Sequence, residues 1–152
     1  MPNLQLQTSL RQLYEEDLVR WAEATVACLK SRDTQQLDWE RLIEEIEDLG
    51  KSAKRELESR LSVLLVHLLK RCYVNLPDNY RGWQLIILEQ RNAFKLLLKQ
   101  SPSLKTYLQD VLDEVYQDAL AEASTAYPTS EFPALYPFSQ ELQALLAEEF
   151  WH

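Results

Sequence analysis

An all-α fold is what this sequence predicts: a helical bundle of four main helices built round one long helix, with a short helix near the C-terminus. Three observations lead there. Apolar residues recur at steps of three and four over most of the 152 residues, which is helical spacing rather than the alternation of a strand. Only two glycines and six prolines occur, too few for the many tight turns of a sheet protein. The rest of the composition favours Leu, Glu, Gln, Lys, Arg and Ala, the residues that lose least on entering a helix. A chain of this length fits a single domain. It buries roughly 70% of its unfolded surface, enough to hold a core with neither disulfide nor metal.

The elements follow in order. Residues 1–12 show no clear periodicity and read as a loose arm. A first helix runs from about Tyr14 to Lys30, with Tyr14, Asp17, Leu18, Trp21, Thr25 and Cys28 on one face. Glu15, Glu16 and Asp17 fall in its first turn and Lys30 in its last, as the helix dipole favours. A polar connection over 31–37 leads to Asp38, a good N-cap. From there Leu42, Ile46, Leu49, Ala53, Leu57, Leu61, Leu64 and Leu68 keep one phase without a slip. That phase holds straight through Gly50, which a hairpin would have no reason to preserve, so one helix is read over residues 39–73. At 1.5 Å per residue it is a rod of ~50 Å. Gly50 costs it roughly 1 kcal/mol against alanine and marks a bend or a close crossing.

Residues 74–81, with Pro77, Asp78 and Asn79, turn the chain. A third helix over 82–100 places Trp83, Ile87, Phe94 and Leu97 on one stripe. Ser101 and Pro102 form a restart, a capping serine followed by proline at the first helical position. The fourth helix runs to about Thr125 and buries Leu104, Leu108, Leu112, Val115, Ala119 and Ala123. Pro128, Pro133 and Pro137 mark 127–138 as an irregular crossover. Ser139 caps a last short helix through Glu148.

Charge divides the chain into three. Residues 1–50 carry a net −6, residues 51–105 a net +7, and residues 106–152 a net −9 with no Lys or Arg at all. Mutual neutralisation of a basic middle by acidic flanks accounts for this layout. A phosphate-binding middle would be opposed by the flanks and by the overall −8, through long-range repulsion. Lys51, Lys54, Arg55, Lys70 and Arg71 lie along the long helix, but no nucleic-acid-reading motif accompanies them, so nucleic acid is not expected. The start of the chain has neither a basic n-region nor an apolar h-region. The densest apolar run, Leu61 to Leu69, is interrupted by Ser62 and His67 and falls short of the ~18 residues of a membrane span. A cytoplasmic location is expected, with Cys28 and Cys72 as reduced core thiols.

Chemistry is searched for among polar residues inside the apolar stripes. On the long helix Arg60, His67 and Arg71 fall within the arc of the leucines; Asp17 lies beside Trp21, and Gln90 sits between Trp83 and Phe94. Buried charge is costly unless paired, so these five form a candidate buried polar cluster, with Asp17 expected to meet Arg71 or Arg60. Its structural role is to fix helix register; its functional role would be a pocket. No metal is expected, because no two Glu-x-x-His motifs occur, the two histidines are His67 and the terminal His152, and no spaced ligand set occurs. GxSxG is absent too, neither cysteine is flanked by histidine, and no glycine-rich loop exists. No catalytic residue and no cofactor are therefore assigned.

Several stretches taken together carry a resemblance. They are YEED at 14–17 with Trp21, LIEEIEDLG at 42–50, SRL at 59–61 and LLVHLLK at 64–70, then Trp83, EQR at 89–91, SPSL at 101–104 and EFW at 149–151. In order and spacing the chain resembles domain-of-unknown-function family 29, a bacterial family frequent in cyanobacteria, from about Leu13 to Trp151. The resemblance implies an all-helical protein with no established activity. The chain departs from the family's usual residues at Arg71 and Cys72.

Two functions follow as expectations. The first is a non-catalytic protein-interaction module of a bacterial regulatory system, with another protein as partner, no membrane, and a homo-oligomer left open. The alternative is a ligand-binding protein or enzyme that uses the polar cluster inside the bundle.

Overall fold

The computed structural model describes residues 10–151, and the first nine residues of the expected arm, like His152, lie outside the described residues. Among those described there is no strand, and the chain is a succession of helices. Helix α1 is Leu18–Lys30, α2 Trp39–Tyr73, α3 Pro77–Gln100, α4 Leu104–Ala126 and α5 Leu142–Ala147. Residues 10–16 are helical as well. They correct the expectation of a loose arm through residue 12: Leu10 is fully buried, packed with Trp21, Cys28 and Leu37. The reason is the spacing of Leu10, Leu13 and Tyr14, one helical turn of apolar side chains.

The packing falls into two compact units, one up to Lys51 and one from Ser52 onward. The smaller unit is organised round Tyr14. Its ring meets Trp21 edge-on at 5.2 Å, and the Arg41 guanidinium lies 5.2 Å above it. Its hydroxyl donates to Glu45 Oε1 at 2.7 Å, and that carboxylate pushes the phenol up to about 12. Helix α1 begins at Asp17, whose side chain accepts from the Arg20 N–H at 3.1 Å. It closes through Arg32 in the left-handed region (φ 60°), with the Asp33 N–H reaching back to the Cys28 carbonyl at 2.9 Å. That closure satisfies a carbonyl the helix end would leave orphaned.

In the larger unit Leu57, Leu61, Leu64, Leu65 and Leu68 of α2 share one core with Ile87 and Phe94 of α3 and with Leu108, Tyr116, Ala119 and Ala123 of α4. Every apolar residue expected on the stripes of α3 and α4 is buried. The turn between α2 and α3 is shorter than the composition suggests, because Pro77 occupies the first turn of α3, where its missing N–H goes unmissed. Proline also keeps Leu76 out of the helical region (φ −134°, ψ 76°). At the next restart Ser101 caps the end of α3, and α4 begins two residues beyond the expected proline position.

Helix α2 keeps its phase over all 35 residues, as its leucine spacing predicts, but its stripe is covered only in part. From Leu57 onward the stripe is fully buried, whereas Ile46 is 59% and Leu49 72% exposed. On α1, Leu18 is likewise 52% exposed rather than buried. Neither Gly50 nor Gly82 has another atom within 4 Å of where a Cβ would stand, and neither takes a positive φ.

In urea unfolding of dilute protein followed by circular dichroism, Phe94→Ala is expected to destabilise the larger unit by about 3–5 kcal/mol. Ile46→Ala is expected to stay within about 0.5 kcal/mol. Equal losses would contradict the division of the stripe.

Candidate functional site

The five polar residues read as one cluster do not assemble as one. Asp17 is exposed and spends its carboxylate on the N-cap of α1, a correction to its expected place among buried groups. An N-cap residue stands outside the helix, so the wheel that placed Asp17 beside Trp21 does not apply to it. Arg60 and Gln90 do meet, at 3.4 Å, with Glu56 3.0 Å from the Arg60 Nε. His67 Nδ1 lies 2.7 Å from the Val63 carbonyl, which can only accept, so Nδ1 carries the proton and Nε2 is the free nitrogen. Burial pushes the imidazole pKa down.

Arg71 finds partners other than those expected. Its Nε donates to Gln84 Oε1 at 2.7 Å. Its guanidinium lies 3.8 Å from the Tyr80 ring centroid and 5.4 Å from that of Trp151. Two aromatic faces and an amide thus hold the cation without a carboxylate, through ring quadrupoles and a neutral acceptor.

The organising residue of this region is Arg91, one position past Gln90. It is 7% exposed, on the buried side of α3 between Ile87 and Phe94. Nε donates to the Leu145 carbonyl at 3.0 Å and an Nη to the Glu148 carbonyl at 2.7 Å. These carbonyls belong to the last turn and exit of α5, where intrahelical donors run out and the dipole is negative. Burial lowers the guanidinium's pKa, and Glu148 and Glu149 oppose that shift. The chain reaches this position by an ordered crossover. Tyr116 donates to the Pro133 carbonyl and Gln117 to that of Ala134. Tyr116, Tyr136, Phe138 and Phe150 then follow ring against ring at 5.0–5.7 Å.

Docked in this way, α5 and the residues after it form one wall of a groove of about 860 Å³ whose other wall is α3. Leu85 and Leu88, 56% and 54% exposed, form its apolar surface with Leu146 and Trp151. Arg81, Arg91 and Lys95 supply positive charge and Glu149 one negative. A smaller hollow shares Lys95 and Leu146 and adds Lys99 and Lys105. Among the described residues, none of Arg71, Arg81, Arg91 or Lys95 has a carboxylate within 4.0 Å. No Ser, Thr, Cys or His lines the larger groove. Among the described residues no group of three His, Cys, Asp or Glu could hold a metal, and no helix is long and apolar enough to cross a membrane.

Sequence reasoning passed over Arg91, Gln84 and the Leu85–Leu88 pair. Their signal is present: two leucines three apart, well off the Trp83–Phe94 stripe, mark a second apolar face on α3.

The family described as "Domain of unknown function DUF29" matches over residues 13–151. No curated protein and no solved structure matches the chain.

Replacing Arg91 by Met leaves two acceptors without donors and is expected to destabilise the larger unit by about 2–4 kcal/mol. Amides of 142–150 should exchange faster in deuterium, and Arg91→Lys should restore little, because an ammonium lacks the planar fork. Unchanged exchange would refute the docking role.

His67 gives a pH dependence of definite sign. Its folded pKa lies below the unfolded ~6.5, so the unfolded chain binds the proton more readily. Stability is fully present above ~6.5 and falls as pH drops below it toward the folded value. Urea midpoints should show a rising slope through that window which His67→Gln flattens; an identical slope in both proteins would be the contrary result.

Proposed function

We propose that this chain, which belongs to the DUF29 family, is a non-catalytic protein-interaction module whose α3–α5 groove takes an acidic amphipathic helix of a partner. One observation carries the reading. In a chain of net charge −8, this groove sets the exposed Leu85 and Leu88 beside three cations, Arg81, Arg91 and Lys95, none of which has a carboxylate within 4.0 Å.

The chemistry of the occupant follows. Leu85 and Leu88 expose apolar surface that favours an apolar stripe of i, i+3, i+4 spacing. Arg81 and Lys95 flank it at positions fourteen residues apart, about 20 Å along a helix axis, the length of roughly four turns. Arg81 and Lys95 offer donors that match carboxylates on the flanks of such a helix. Nucleic acid fits less well, since the whole chain repels it and the groove presents a single indole rather than a row of stacking rings. Catalysis has no support in a groove lined by no serine, threonine, cysteine or histidine.

The test is a photo-crosslinking residue at position 88, activated in the native host, with the attached segment read by mass spectrometry. The expected product is a helical segment rich in Asp and Glu with apolar residues at helical spacing. Adducts confined to nucleic acid, lipid or a small metabolite would overturn the reading, as would a basic segment. Leu85→Asp in the same crosslinking chain should reduce capture roughly tenfold or more while leaving the melting temperature within a few degrees, because that side chain is already exposed.

A further inference from the structure

The first half of α2 carries an apolar face that is more than half exposed. Trp39, Ile43 and Ile46 lie on one side of the helix, with Leu49 at its border, and each is 52–72% exposed. At 100° per residue Gly50 falls on the same side. Glu40 and Glu47 occupy one flank. This is an acidic amphipathic helix of the kind the groove is shaped for, and it belongs to the same chain. The stripe and the groove are each open to solvent, and each is available to its counterpart on a second copy.

The two glycines point the same way. They are the only ones in the sequence, and both stand inside helices, where glycine is less favourable than alanine. Neither is needed by its own chain, since a Cβ at either would meet nothing within 4 Å and neither adopts a positive φ. Gly50 lies on the acidic stripe and Gly82 lines the basic groove. A glycine on each of two helices permits close approach of their backbones. We infer that this protein self-associates by seating the Trp39–Gly50 stripe of one copy in the α3–α5 groove of another. The inference rests on the groove being a docking site for an acidic helix, and it names the occupant.

Charge complementarity sets the expected behaviour. Carboxylates of the stripe meet Arg81, Lys95, Lys99 and Lys105, so association should weaken as salt is raised. Two copies exchanging stripes reciprocally would close on themselves; one-way seating would continue into longer chains.

The experiment uses the full chain in nitrogen-14 and nitrogen-15 forms, mixed, with a photo-crosslinker at position 46. Expected are mixed-isotope crosslinks from 46 into residues 81–99, together with a light-scattering mass above one 17.8 kDa chain that falls with salt. Gly50→Ala and Gly82→Ala separate association from folding. Each should raise the melting temperature of the dilute chain yet weaken association several-fold, and Lys95→Glu should do so without any thermal gain. A single-chain mass across the concentration series, crosslinks confined to one isotope form, or glycine variants that associate as well as the parent would overturn the inference. If copies fail to associate while a synthetic acidic amphipathic peptide still binds in a Leu88-dependent way, self-docking falls and the groove's function stands. If a Leu85→Asp, Leu88→Asp variant binds that peptide as the parent does, the groove reading falls too.

Discussion

A helix that keeps one apolar phase over 35 residues presents one continuous stripe, and whatever covers that stripe decides where the protein ends and its surroundings begin. From Leu57 to Leu69 the cover is α3 and α4, and the side chains are sealed into a core. At Trp39, Ile43, Ile46 and Leu49 the described residues leave more than half of each side chain exposed. The physics of the stripe is the same in both halves. Burial of an aliphatic side chain stabilises by roughly 1.5–3 kcal/mol relative to leaving it in water. That gain is realised in full in one half of α2 and only in part in the other.

Arg91 performs a different task. It joins the interior of α3 to carbonyls that α5 cannot satisfy for itself, and so converts a polar liability of a short helix into its point of attachment. A lysine could not serve both carbonyls from one planar group, and an apolar residue would leave them dry and unpaired. With Arg91 in place, the crossover's aromatic sequence and Leu145 lie against the main core, and the groove acquires its second wall.

Helical periodicity made most of this architecture legible. The uninterrupted α2, the stripes of α3 and α4, and the crossover at 127–138 all follow from spacing and proline placement. Periodicity reports which residues share a face, however, and is silent on whether anything lies against that face. Ile46 and Leu49 were therefore indistinguishable from Leu57 and Leu61 in the sequence, although their exposure differs completely. Gln90 stood for Arg91 because one residue shifts a wheel by 100°, a rotation that only packing resolves. Asp17 misled for another reason, since its side chain closes a helix end. The groove was the least legible feature: its walls come from α3 and from residues some sixty positions later, and nothing local in either segment announces the other.

Helix α5 has six residues, far fewer than a helix needs to persist alone in water. Its formation is tied to docking, and its docking forms a wall of the groove. Any molecule that fills the groove in its assembled state therefore draws on the same equilibrium that orders α5. By linkage, such an occupant stabilises the folded end of the chain in proportion to the logarithm of its concentration over its dissociation constant. The converse holds with equal strength: loosening α5 at Arg91, Leu145 or Phe150 divides the affinity by the fraction of chains in which the wall still stands. Attachment of α5 and grip on the occupant are thus two readings of one free energy, and a substitution that never touches the occupant can still release it.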